Sequence, residues 1–116
     1  MRFIVTLLLV LSYTTSAYAA NWFVKLYDDK GYTDRSLSVG YKQDIQDMNK
    51  IHSDDGTLGF NDKASSIKYC IPSGWQVALY EDKYFANRRN VFKGCGEEKD
   101  MGYFGDKTSS LRWERK

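Results

Sequence analysis

The feature that most constrains this chain is an internal duplication. Trp22 to Gly40 reads WFVKLYDDKGYTDRSLSVG, and Trp75 to Gly94 reads WQVALYEDKYFANRRNVFKG. Trp22, Val24, Leu26 and Tyr27 match Trp75, Val77, Leu79 and Tyr80 at a constant offset of 53. A second pair follows: Asn61 to Tyr69 (NDKASSIKY) returns as Gly105 to Trp113 (GDKTSSLRW). Asp47-Met48 recurs as Asp100-Met101, and Phe60 matches Phe104. A unit repeated in this way buries its apolar face against its copy, so the two halves are expected to share one core.

Within each half the apolar residues first alternate with period two, which specifies a strand. An acidic-basic hairpin comes next, Asp28-Asp29-Lys30 or Glu81-Asp82-Lys83, and then a second short strand ending at Gly40 or Gly94. The duplicated DKxSS segments read as a polar loop running into a strand. The resulting expectation is eight strands, near 22–28, 35–40, 41–46 and 65–71, then 75–81, 88–93, 98–103 and 109–114. Gln43 to Ile51 lacks a strong cap or a long apolar stripe, so no more than a turn or two of helix is expected there. Pro72-Ser73-Gly74 punctuates the junction between halves. With aromatics at 16%, two packed sheets follow: an all-β fold of one domain. Asn49 to Leu58 has no counterpart in the second half, is strongly polar, and reads as a surface loop.

Residues Met1 to Ala19 have the anatomy of a secretory signal: Arg2, the apolar run Phe3 to Leu11, and Ala17-Tyr18-Ala19 as the cleavage site. The run is too short to cross a bilayer as a helix. Cleavage leaves residues 20–116, and taking Arg2 from the 17 basic residues leaves 16 against 15 acidic ones, net +1. No charge surplus points to nucleic acid or an anionic membrane, and a secreted or periplasmic monomer is expected. Cys70 and Cys95 are the only cysteines. In an oxidising compartment they suit one disulfide, worth ~3.5 kcal/mol in the chain-entropy model for this separation. A zinc site or a reactive thiol is the alternative, but no histidine lies near either cysteine.

Catalysis finds little support. His52, the single histidine, sits beside Ser53 and Asp54 in the polar loop, and adjacency in sequence does not assemble a triad. Arg88-Arg89 with Lys83 and Lys93 reads as a solvated face. The aromatics Trp22, Trp75, Tyr27, Tyr80, Tyr32 and Phe85 read as core and hairpin packing.

These residues resemble the paired Greek-key motifs of βγ-crystallin domains. The family's hairpin has an aromatic, four residues, a second aromatic, one residue and a glycine. Here it is Tyr27…Tyr32-Thr33-Asp34 and Tyr80…Phe85-Ala86-Asn87. Asp34 and Asn87 replace the glycine, and both residue types tolerate the left-handed region. Calcium-binding members add the loop Asn/Asp, Asn/Asp, x, x, Ser/Thr, Ser. Asn61 to Ser66 fits it fully, and Gly105 to Ser110 fits at all but the first position.

The resemblance implies a two-sheet Greek-key β-sandwich, with one motif over about 21–71 and the other over about 74–116. It implies that the third strand of each half crosses into the other half's sheet, which would bring Cys70 and Cys95 together. It also implies up to two calcium ions. Around one lie Asp62, Ser65 and the Lys63 carbonyl; around the other lie Asp106, Ser109 and the Lys107 carbonyl. The hairpins add the carbonyls of Asp28 and Glu81. Sequence does not say how the halves share these ligands, and Gly105 makes the second site the weaker one. With about one carboxylate per ion, affinity on the order of 10⁻⁶ to 10⁻³ M is expected. The implied role is a calcium-binding structural module and not an enzyme. The alternative is an inhibitor- or toxin-like interaction protein that engages an unidentified protein partner through residues 49–58.

Overall fold

Alternation becomes strand wherever one face of the segment can be buried. The computed structural model describes residues 22–116, so the expected signal segment Met1–Ala19 lies outside the described residues. Among the described residues seven strands form: β1 (Phe23–Asp29), β2 (Thr33–Gly40), β3 (Ser66–Cys70), β4 (Trp75–Asp82), β5 (Ala86–Phe92), β6 (Cys95–Glu98) and β7 (Ser110–Arg115). They make two antiparallel sheets, ordered β2-β1-β3-β6 and β5-β4-β7. Among the described residues no helix is long and apolar enough to cross a membrane.

The offset of 53 survives in the register. Val24 lies opposite Val39 and Val77 opposite Phe92; Tyr27 faces Ser36 and Tyr80 faces Arg89. Val24, Leu26, Val77 and Leu79 point inward with Ile67 and Leu111, all fully buried, and Met48 and Phe60 join them between the sheets. Each such side chain contributes roughly 1.5–3 kcal/mol by leaving water.

The crossing between halves is present but unequal. β6 of the second half pairs with β3 of the first, completing the four-stranded sheet. The reciprocal segment, expected as a strand over 41–46, is reduced to one bridge between Ile45 and Leu111. Two local features prevent a longer strand. Lys42 turns the chain at φ 64°, and the Asp44 carboxylate accepts the Trp113 N–H (2.8 Å), doing the work of a backbone carbonyl. In the second half, β6 starts at Cys95, earlier than the expected 98–103. It stops at Glu98, because the chain then turns at Gly102 (φ 59°), whose N–H is capped by Asp100. The region 43–51 yields only a short 3-10 turn, Met48–Lys50, capped by Asp47.

Cys70 and Cys95 face each other across β3 and β6 and are disulfide-bonded.

Residues 49–58 lie mostly at the surface, as expected, yet they are folded and docked. His52 pairs with Leu58, and Ser53 N–H donates to the Thr57 carbonyl (2.9 Å). This small hairpin lies along the outer edge of β2. Asp54 N–H donates to the Ser36 carbonyl (2.8 Å), and the Asp54 carboxylate accepts from Ser38 N–H (2.9 Å) and the hydroxyls of Ser36 and Ser38. Arg35 donates to Ser53 Oγ and the Gly59 carbonyl, with Asp55 3.8 Å from its Nε.

Candidate metal centre

Both DKxSS loops begin by locking a hairpin. Ser66 and Ser110, the sixth residues of the motif, are fully buried. Their hydroxyls donate to the carbonyls of Asp29 and Asp82 (2.6 Å each) and accept the N–H groups of Tyr32 (3.0 Å) and Phe85 (3.1 Å). Those bonds hold two aromatics in the left-handed region, at φ 62° and 59°, where a side chain costs about 1 kcal/mol or more. Asp34 and Asn87 sit at φ 67° and 66°, so each fills the glycine position as expected.

The fifth residues have another task. Ser65 N–H donates to the Tyr27 carbonyl (2.8 Å) and Ser109 N–H to the Tyr80 carbonyl (2.9 Å). Each hydroxyl is thereby set beside a hairpin where one residue drops out of the ladder. Those residues are Asp28, passed over between Tyr27 and Asp29, and Glu81, passed over between Tyr80 and Asp82. A residue left out of a ladder has backbone groups free for other partners.

The acids do not stay with their own loops. Asp106 Oδ1 accepts from Ser65 Oγ (2.8 Å), and Asp62 Oδ1 accepts from Ser109 Oγ (3.2 Å). The backbone repeats the exchange: Asp62 N–H donates to the Thr108 carbonyl and Asp106 N–H to the Ala64 carbonyl. Both aspartates are at positive φ, 56° and 60°, which turns their carboxylates across to the opposite loop. One oxygen group therefore gathers Ser65, Asp106, the Lys63 carbonyl (3.5 Å from Ser65 Oγ) and the Asp28 hairpin. The other gathers Ser109, Asp62, Lys107 and Glu81, which line a recess together with Asn61 and Asp106.

Every residue named from the sequence lies in one of these two groups; sequence leaves open how the halves share them, and the structure shows which acid meets which serine. The expected ranking of the groups follows the completeness of each contiguous loop, whereas the structure composes each group from both loops. Asn61, the first residue of the complete motif, lines the recess that holds Ser109. The side chain that Gly105 lacks is therefore missing from the loop that supplies Asp106, whose partner is Ser65.

The electrostatics are mixed. Burial raises the Asp28 carboxyl above its usual value, the Lys63 ammonium opposes this, and Asp34 and Asp29 add to it. Tyr103 reaches toward Glu81 (3.5 Å) with Lys107 near its ring (5.3 Å), so a cation entering the recess meets a resident positive charge.

Comparison with solved structures is decisive for the fold. A βγ-crystallin domain from Flavobacterium johnsoniae is 26% identical, with a TM-score of 0.58 over 79% of this chain and 93% of that one. The fold of this chain is that of a βγ-crystallin domain. A βγ-crystallin domain from Clostridium beijerinckii matches with a TM-score of 0.58 at 23% identity, over 78% of this chain and 95% of that one. A structure bearing on the evolution of the eye lens βγ-crystallin domain fold reaches 0.65 at 19% identity, over 84% and 89%. No family model matches the sequence, and no curated protein matches it.

Among the described residues of this βγ-crystallin-type domain, no three or more His, Cys, Asp or Glu side chains cluster as a metal site. The donor set is hydroxyl, carbonyl and carboxylate oxygen, with Asp62, Glu81, Asp82 and Asp106 all lining the recess, which suits a hard cation that accepts backbone oxygens and water, and not zinc. Asn61 Oδ1 is a buried acceptor without a hydrogen-bond partner, at the wall of the recess. The residues present thus fit calcium.

Proposed function

We propose that the protein is an exported structural module of the βγ-crystallin type that binds up to two calcium ions, acts as a monomer without nucleic-acid or membrane partners, and is stabilised by the ions. The observation that carries this reading is the exchange of acids. Each cation would be held by Ser65 or Ser109 from one half and by Asp106 or Asp62 from the other. Bound calcium supplies positive charge that both loops can share. In its absence each serine hydroxyl satisfies the facing carboxylate. The protein's own part is to fix the oxygens: Ser66 and Ser110 lock the hairpins, and the passed-over Asp28 and Glu81 have backbone groups outside the ladder that could serve the ions. The Cys70–Cys95 bond supports export to an oxidising compartment. The Asp54 contacts with β2 leave residues 49–58 less available for a target, which favours the structural role over an inhibitor- or toxin-like one.

Calorimetry with a parallel melt tests this. Ions that bind only the native state add about 2.7 kcal/mol at a hundredfold excess over Kd. The melting temperature is expected to rise in millimolar calcium and return with chelator. Absence of both heat and shift would leave DKxSS as hairpin-locking sequence alone.

A further inference from the structure

The outer edge of β2 shows how this molecule covers an exposed strand, and among the described residues the matching edge of β5 has no such cover. Ser36 and Ser38 correspond to Arg89 and Val91 at the offset of 53, and Arg35 corresponds to Arg88. In the first half, the Ser53-Asp54-Asp55 tip satisfies that edge: Asp54 takes the Ser38 N–H and gives its own N–H to the Ser36 carbonyl, while Ser53 and Asp55 meet the Arg35 guanidinium. The second half has no equivalent segment, because Met101 reaches Phe104 after only two residues. The backbone groups of Arg89 and Val91 that correspond to the bonded ones of Ser36 and Ser38 therefore face outward, beside exposed Arg88 and Lys93.

We infer that β5 is a docking edge for an extended acidic segment of a partner protein, which adds to the sheet as a strand. An open edge is a template for strand addition, and charge selects what adds. β5 carries Arg88 and Arg89 and no acid, so two copies pairing edge to edge would oppose like charges. The acidic tip of a second copy is held by its own β2. Arg89 already binds Glu114 (2.8 Å); Arg88, whose guanidinium lies over the Tyr103 ring (5.1 Å), has no carboxylate partner among the described residues and is the cation that selects the incoming chain. The molecule's own solution to the same problem, a hydroxyl and two carboxylates carried at the turn of a small hairpin that bonds the edge through the Asp54 backbone and carboxylate, defines the chemistry of the partner.

The probe is a blocked peptide with the sequence of residues 51–59, and the readout is amide hydrogen exchange of the whole protein. Excess peptide is expected to slow exchange of the Val91 amide about tenfold while leaving the Ser38 amide, already bonded, unchanged. The same peptide with both aspartates replaced by asparagine should give no protection. Arg88→Glu should abolish the effect and Arg88→Gln weaken it, with the melting temperature of both variants held. Peptide binding without slower exchange at Val91, or full binding to Arg88→Glu, overturns the inference. A heparin oligosaccharide that displaces the peptide when the peptide has given no protection at Val91 would reduce β5 to a patch for anions and overturn it equally.

Discussion

The two halves of this domain perform the same crossing by different physical means. In the first, the crossing segment keeps only one bridge to β7, but Ile45 and Met48 are buried in the core. In the second, the corresponding segment is a full strand, β6, whose four residues are all exposed. The strand itself contributes no side chain to the core, although Met101 beyond it is buried as Met48 is, and it is held by its ladder to β3 and by the bond from Cys70 to Cys95. The register equivalent of buried Ile45 is exposed Glu98, paired with Ile67 as Ile45 is with Leu111. A covalent tie in one half thus replaces hydrophobic burial in the other.

Removing the tie gives the largest expected effect. Cys70→Ser with Cys95→Ser should cost about 3.5 kcal/mol in a denaturant titration. Amide exchange should rise first in β6 and not around Ile45. A uniform rise across both sheets would mean that β6 does not depend specifically on the bridge.

The complementary pair of substitutions sharpens the same contrast. Ile45→Ala should cost roughly 3 kcal/mol, as for other buried aliphatic truncations. Glu98→Ala, at the equivalent position, should stay within about 0.5 kcal/mol. Equal costs would show that the halves are anchored alike.

The smallest effect concerns the covered edge. Burial alone would raise the Asp54 carboxyl, but the Ser36 hydroxyl and the Ser38 amide and hydroxyl hold it below its usual value. A carboxyl depressed in the folded state contributes stability that is fully present above its unfolded value. That contribution is lost as pH falls through the folded one. Asp54→Ala should therefore cost about 1 kcal/mol at neutral pH, modest because the group is solvent-exposed and screened. The difference from the unsubstituted protein should fade below about pH 4. A difference that does not change with pH would assign the cost to something other than the carboxylate.

Much of this was legible because the repeat is local. Period-two alternation placed β1, β4 and β7 within a residue or two, and the replacement of glycine by Asp34 and Asn87 correctly marked left-handed positions. What failed is long-range. A carboxylate in the role of a backbone acceptor, as Asp44 does for Trp113, erases a strand without changing its apolar pattern. The docking of Asp54 on β2 has no counterpart in the second half from which to infer it. The exchange of Asp62 and Asp106 depends on how the sheets close, and a contiguous motif carries no trace of that.

That exchange also gives the most direct test of how the ions would be held. Amide shifts followed during a calcium titration of Asp62→Ala report each oxygen group separately. The shared-acid arrangement predicts that Asp62→Ala loses the calcium-dependent shifts of Glu81, Lys107 and Ser109 and keeps those of Asp28, Lys63 and Ser65. Loss at Lys63 and Ser65 with retention at Lys107 and Ser109 would contradict it, returning each acid to its own loop.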